Sequence, residues 1–155
     1  MADPVSFPNS GNSPQTGGLT APNMIAIASG KGGVGKTWFS VTLCQALAKL
    51  GKKVLLFDGD LGLANVDIQL GLIPERDLGA VMDGNSPLSA AVTKYATGGY
   101  DILAGRSGTG SMASLASQRL LEMRGELVLL AKRYDIVILD LGAGVERPVM
   151  QMAGS

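Results

Sequence analysis

Apolar residues along this chain follow two different periods. Four short runs are continuously apolar or nearly so: Met24-Ile25-Ala26-Ile27-Ala28, Lys53-Val54-Leu55-Leu56-Phe57-Asp58, Tyr100-Asp101-Ile102-Leu103-Ala104 and Tyr134-Asp135-Ile136-Val137-Ile138-Leu139-Asp140. Runs of this length, bounded by turn formers or a final aspartate, read as strands of a parallel sheet buried on both faces. Between them the period changes. Lys36 to Leu50 contains no Pro or Gly, and Trp38, Val41, Cys44, Leu47, Ala48 and Leu50 recur at helical spacing. Gly51 then stands where a helix ends. Residues 111–133 predict a long helix with Met112, Ala116, Leu120, Met123, Leu127 and Leu130 on one face. Gly125 inside it costs about 1 kcal/mol relative to Ala. Short helices are expected near 78–84 and 87–95, and residues 66–80, broken by Gly71 and Pro74, read as a short helix or an irregular stretch. No internal repeat is visible. Strands alternating with helices predict an α/β fold with a mostly parallel, doubly wound sheet. Ligands of such sheets bind at the carboxyl ends of the strands.

The first strand and first helix are joined by Gly30-Lys31-Gly32-Gly33-Val34-Gly35-Lys36-Thr37. This is a phosphate-binding loop in the context it requires. Glycines let successive backbone N–H groups turn inward, and the helix adds its positive N-terminal end. Lys36 is expected at the β/γ-phosphates and the Thr37 hydroxyl at Mg²⁺. Lys31 is a second lysine in front of the usual one. The structural alternative is a flexible glycine loop that happens to carry two lysines.

Three aspartates are expected at the same end of the sheet. Asp140 ends an apolar strand, the Walker B arrangement, in which a carboxylate at the strand tip holds Mg²⁺. Its bland reading is a turn or N-cap residue. Gly142-Ala143-Gly144 then suits a switch whose backbone approaches the γ-phosphate. Asp58 and Asp60 alternate, so in an extended backbone they point the same way. One can assist the metal while the other orients the attacking water, and Asp60 is favoured for the water. Simple turn formation is the alternative. Loss of a terminal phosphate needs mainly positioning and charge neutralisation, so aspartate serves without histidine.

Composition narrows the chemistry further. The chain has no histidine, which removes His-based acid–base catalysis and His-ligated metals. Its 13 basic and 13 acidic residues cancel, so net charge gives no nucleic-acid signal. The single cysteine, Cys44, permits no intrachain disulfide, suits a reducing cytoplasm and reads as an inert core thiol. No apolar stretch is long enough to span a membrane. Residues 1–23 are dense in Pro, Gly, Ser, Asn and Thr, lack the features of a secretory signal, and are expected to form a disordered tail before an ATPase domain starting at residue 24.

Together these residues resemble the MinD/ParA group of P-loop ATPases, which carry a deviant Walker A motif. Lys31-Gly32-Gly33-Val34-Gly35-Lys36-Thr37 carries that group's signature. Within the group, Asp58-Gly59-Asp60-Leu61-Gly62-Leu63-Ala64-Asn65-Val66-Asp67 and Leu139-Asp140-Leu141-Gly142-Ala143-Gly144 resemble the flagellar-number regulators of the FlhG/FleN type. The resemblance covers roughly residues 24–146. It implies a SIMIBI-type fold, ATP and Mg²⁺ as cofactors, and slow ATP hydrolysis. It also implies that Lys31 reaches across a nucleotide-sandwich homodimer to the partner's phosphates, coupling ATP binding to dimerisation. Asp60 takes the water-facing role, with Thr37, Asp60 and Asp140 around the metal.

The sequence departs from this pattern in several places. Trp38 stands where a small polar residue is usual, beside the nucleotide. Leu141 replaces a Thr or Ser. The tail lacks the DQAxxLR-like motif used towards a flagellar signal-recognition-type GTPase. Family members also continue well beyond the position of Ser155, with an adenine pocket and often a C-terminal amphipathic membrane helix. The chain is therefore expected to be an N-terminal fragment, cytoplasmic, with any membrane attachment supplied by that helix. Other readings within the fold are a ParA-like partition ATPase and a non-hydrolysing nucleotide-binding scaffold. Electron transfer of the nitrogenase-iron-protein kind needs intersubunit cysteines, for which Cys44 is badly placed.

Overall fold

The computed structural model describes residues 22–59, Val66, 70–72, 78–105 and 117–141. Most of the expected tail, residues 1–21, lies outside the described residues. In chain order the elements are β1 (Met24–Ile27), α1 (Lys36–Lys49), β2 (Val54–Asp58), α2 (Leu78–Met82), a 3₁₀ turn (Leu88–Ala91), β3 (Val92–Tyr95), β4 (Tyr100–Leu103), α3 (Ser117–Ala131) and β5 (Ile136–Asp140).

The strands form one sheet in the order β1-β5-β2-β4-β3. β1, β5, β2 and β4 run parallel to their neighbours, and β3 alone is antiparallel, beside β4. The apolar runs explain the centre of the sheet. β2 is buried at all five positions, and β5 at its last four. Alternation along the strands sends side chains to two separate layers. Leu55, Phe57, Leu103, Val137 and Leu139 pack with Met123, Leu127 and Val128 of α3 and with Leu78 and Val81 of α2. Leu56, Ile102 and Ile138 face the other way, onto Cys44 and the half-buried Val41, Leu43 and Leu47 of α1. Helices thus cover both faces, as expected of a doubly wound sheet.

Three sequence expectations need correction. The expected helix at 87–95 is a single 3₁₀ turn followed by β3. Val92, Thr93 and Tyr95 are good strand formers, and the connection through Gly98-Gly99 makes a hairpin back to β4. The face assigned to α1 is rotated: only Ser40 and Cys44 are fully buried, while Trp38 and Leu50 are 67% and 76% exposed. β1 is parallel as expected but is not buried on both faces, because it is an outer strand among those described. Asn23 ties its base down. The Asn23 side-chain amide donates to the carbonyls of Ala131 and Tyr134 at 2.8 and 2.9 Å.

Candidate phosphate-binding site

The site is assembled at the carboxyl ends of β1, β5 and β2. Ile27 is in register with Asp140, and Asp140 with Asp58, so three strand tips form one row. Adjacent strands lie about 4.8 Å apart. The two carboxylate residues are therefore side by side, and each is only 1% exposed. Gly59 locks the row. Its N–H donates to the Asp140 carbonyl at 2.8 Å, and a Cβ on Gly59 would stand 2.9 Å from that oxygen. Beyond Asp140, the Leu141 N–H donates to the Ile27 carbonyl at 3.0 Å, and the Leu141 side chain is fully buried in the α3 layer. The departure at 141 is thus explained by packing.

The glycine loop rises from β1 into α1. Gly33 and Gly35 have φ of +73° and +90°, conformations that L side chains rarely adopt. Gly35 is the N-cap of α1, no side chain caps the helix, and its first turn contains no acid. Nothing stands within 4 Å of where a Cβ on Gly30, Gly32, Gly33 or Gly35 would point. The loop is therefore open on its outer side, next to the positive end of a helix. Ser29 Oγ donates to the Lys31 carbonyl at 2.6 Å and holds the loop's first bend. Ser29-Gly30 is the turn former that bounds the first apolar run in the sequence, though nothing there marks the Ser29 hydroxyl as a loop contact. Ser40, also unmarked there, is fully buried and donates to the Lys36 carbonyl at 3.0 Å.

Lys31, Gly32, Gly33, Val34 and Gly35 are exposed, and Lys36 and Thr37 are half-buried at the start of α1. Trp38 projects outward rather than into the core. Cys44, one helical turn beyond Ser40, lies beneath the row: burial, with a lesser contribution from the Asp140 charge, pushes its thiol up to about 12. The structure thus brings the loop, Asp58 and Asp140 to one edge. Asp60 and Gly142, the expected water-orienting and switch residues, lie outside the described residues.

The donors present suit a hard cation. The two buried carboxylates, and the hydroxyl of Thr37 at the start of α1, are oxygen ligands of the kind Mg²⁺ takes, and no histidine or second cysteine competes. No group of three or more metal-ligating side chains occurs among the described residues, so water or phosphate oxygens would complete the coordination. A cavity of about 310 Å³ lined by Lys53, Tyr95, Tyr100 and Asp101 sits at the other end of β2 and β4 and contains none of these groups.

The profile of the CobQ/CobB/MinD/ParA nucleotide binding domain matches residues 25–147. The chain belongs to this family. It is 41% identical over 131 residues to antiactivator FleN of Pseudomonas aeruginosa, covering 84% of this chain and 46% of that protein. It is 31% identical over 139 residues to the flagellum site-determining protein YlxH of Helicobacter pylori, covering 90% of this chain and 44% of that one. Among solved structures, the septum site-determining protein MinD of Pyrococcus horikoshii, in complex with Mg-ADP, superposes with a TM-score of 0.70 at 32% identity, over 84% of this chain and 53% of that chain. The chain spans about half the length of the relatives it matches. The MinD/ParA family domain therefore includes the glycine loop, both described aspartates and every strand of the sheet.

Proposed function

We propose that this chain is the phosphate-binding half of an ATP-driven dimerisation switch of the MinD/ParA type, acting in the cytoplasm to set flagellar number or placement. The observation that carries the reading is the open loop with Lys31 and Lys36, mounted on the same sheet edge as the buried Asp58–Asp140 row. The similarity to FleN and to YlxH supports the flagellar assignment. The similarity to a MinD that was solved with Mg-ADP supports the nucleotide and the metal.

In this reading Lys36 and the loop amides bind the β- and γ-phosphates of ATP, while Thr37, Asp60 and Asp140 hold Mg²⁺ and Asp58 supports them. The metal supplies charge neutralisation and orientation of the phosphates. Asp60 orients the water that attacks the terminal phosphate, and the Gly142 backbone follows the change from ATP to ADP. Lys31 neutralises charge on the nucleotide of a second protomer, so that ATP favours the dimer and hydrolysis releases it. Regulatory partners act on that dimer; without the DQAxxLR-like motif in the tail, a flagellar signal-recognition-type GTPase is not singled out among them. No described helix is long and apolar enough to cross a membrane.

The test is direct. Trp38 is the only tryptophan, stands 67% exposed next to the loop, and reports locally. Titration with Mg-ATP is expected to change its fluorescence saturably, and Lys36→Ala to abolish the change. Light scattering on a protein of the relatives' full length is expected to show an ATP-dependent dimer that Lys31→Ala removes. An ATP dimer that survives Lys31→Ala would overturn the switch mechanism. An unresponsive Trp38 together with no detectable ATP binding would overturn the nucleotide reading itself.

A further inference from the structure

The end of the sheet away from the glycine loop carries the cleft of about 310 Å³, which the nucleotide reading does not use. It lies where β2 and β4 begin and β3 ends. Lys53, Lys94, Tyr95, Tyr100 and Asp101 supply its side-chain chemistry. The antiparallel pairing of β3 with β4 sets Lys94 opposite Asp101 and Tyr95 opposite Tyr100. A charged pair and an aromatic pair therefore stand on successive positions of the same hairpin. Tyr100 is buried and meets Tyr95 edge to face, which makes the aromatic wall rigid.

The charges of the cleft do not cancel. Asp101 Oδ2 accepts a hydrogen bond from the Tyr134 hydroxyl at 2.8 Å, and Oδ1 accepts none among the described residues. The Lys53 ammonium stands 5.4 Å from the centroid of the Tyr134 ring. Among the described residues neither the Lys53 nor the Lys94 ammonium takes part in an ion pair. Two ammoniums against one carboxylate leave one positive charge in excess, beside one carboxylate oxygen free to accept a hydrogen bond. Ligand cavities run from about 300 to 1,000 Å³ and combine apolar walls with a few polar groups. This cleft stands at the small end, which suits a single ring with its substituents. A phosphate monoester carries a charge of about −1.5 to −2, more than the excess it would meet. A carboxylate carries one charge and matches it.

We propose that this cleft binds a small aromatic carboxylate that bears a hydroxyl. The ring packs against Tyr95 and Tyr100, the carboxylate meets the ammoniums of Lys53 and Lys94, and the hydroxyl donates to Asp101 Oδ1. The flexible lysine stems let both ammoniums reach past Asp101 to the ligand. The site is independent of the nucleotide reading.

The probe is para-hydroxybenzoate, titrated into the 155-residue chain and followed through backbone amide NMR shifts. Saturable shifts are expected at Tyr95, Gly99, Tyr100 and Asp101. Lys94→Ala and Lys53→Ala are each expected to weaken binding about fivefold or more. Lys94 is exposed, so its substitution leaves the fold intact, and unchanged shifts of the β5 amides check this. The neutral para-hydroxybenzamide is expected to bind about fivefold more weakly or less well still. Asp101→Asn keeps an acceptor for the Tyr134 hydroxyl and raises the charge excess to two. It is expected to move the preference of the cleft from para-hydroxybenzoate towards para-hydroxyphenyl phosphate. No saturable shift at the four cleft residues would overturn the proposal, as would shifts confined to the glycine loop. Equal binding of the amide, or a native chain that prefers the phosphate, would overturn the assignment of a carboxylate.

Discussion

Cys44 shows how the surroundings of a residue decide its chemistry. The thiolate is the reactive form of cysteine. Burial first, and the negative Asp140 second, raise this thiol from 9.0 to about 12. The native chain is expected to resist a thiol reagent such as Ellman's at about pH 8 and to react fully once denatured. Rapid labelling of the native chain would contradict the packing. The same shift has a stability consequence. A folded-state pKa above the unfolded value means that the folded protein holds its proton more tightly. That contribution is intact below pH 9.0 and is lost as pH rises towards 12. The slope is at most about 1.4 kcal/mol per pH unit. Tyr100 and Tyr134 are shifted upward as well, chiefly by burial. Cys44→Ala is therefore expected to flatten the alkaline slope of urea-unfolding stability only in part. The inert core thiol was legible in sequence, because Cys44 falls among apolar residues at helical spacing. The outward turn of Trp38 was not. Its position on the wheel depends on which side of α1 meets the sheet, and Ser40, a polar residue, takes the buried place.

At the scale of elements, the β3–β4 hairpin is the part sequence periodicity misread. Leu88, Ala91, Val92 and Tyr95 have helical spacing, yet the 3₁₀ turn stops at Ala91 and the chain extends. The decisive signal was Gly98-Gly99 ahead of Tyr100. Gly99 has φ +75°, and its N–H donates to the Tyr95 carbonyl at 2.9 Å. Tyr95 and Tyr100 then meet edge to face with centroids 5.3 Å apart. Gly98 sits against both rings, and a Cβ there would lie 2.4 Å from each. Tyr100 is buried and has little freedom to move away. Gly98→Ala is expected to destabilise the chain by about 1–3 kcal/mol in urea unfolding. Gly125→Ala, where nothing stands within 4 Å of the added carbon, is expected to stabilise it by up to about 1 kcal/mol. If the two substitutions behave alike, the hairpin does not pack as described.

The whole molecule joins segments that the sequence keeps far apart. Each run ending at Ile27, Asp58 or Asp140 could be read as a strand with chemistry at its tip. The strand order could not, because β5, the last of the described strands, inserts between β1 and β2. Pairing of distant strands is set by packing across the sheet, and no local pattern reports it. That insertion puts Asp140 between the loop-bearing strand and Asp58. A ligand bridging the loop and the two aspartates would therefore clamp three adjacent strands from distant parts of the sequence. A ligand that binds only the folded state adds RT ln(1 + [L]/Kd), about 2.7 kcal/mol at a hundredfold excess over Kd. Mg-ATP is expected to raise the unfolding midpoint of the chain. Lys36→Ala is expected to lose the shift at the loop end of the clamp, and Asp140→Asn to lose its dependence on magnesium at the sheet end. Hydrogen exchange should then slow in β1, β5 and β2 together, with the β3–β4 hairpin least affected. Protection confined to the loop, with no change in β5, would mean that the nucleotide is held without the aspartate row.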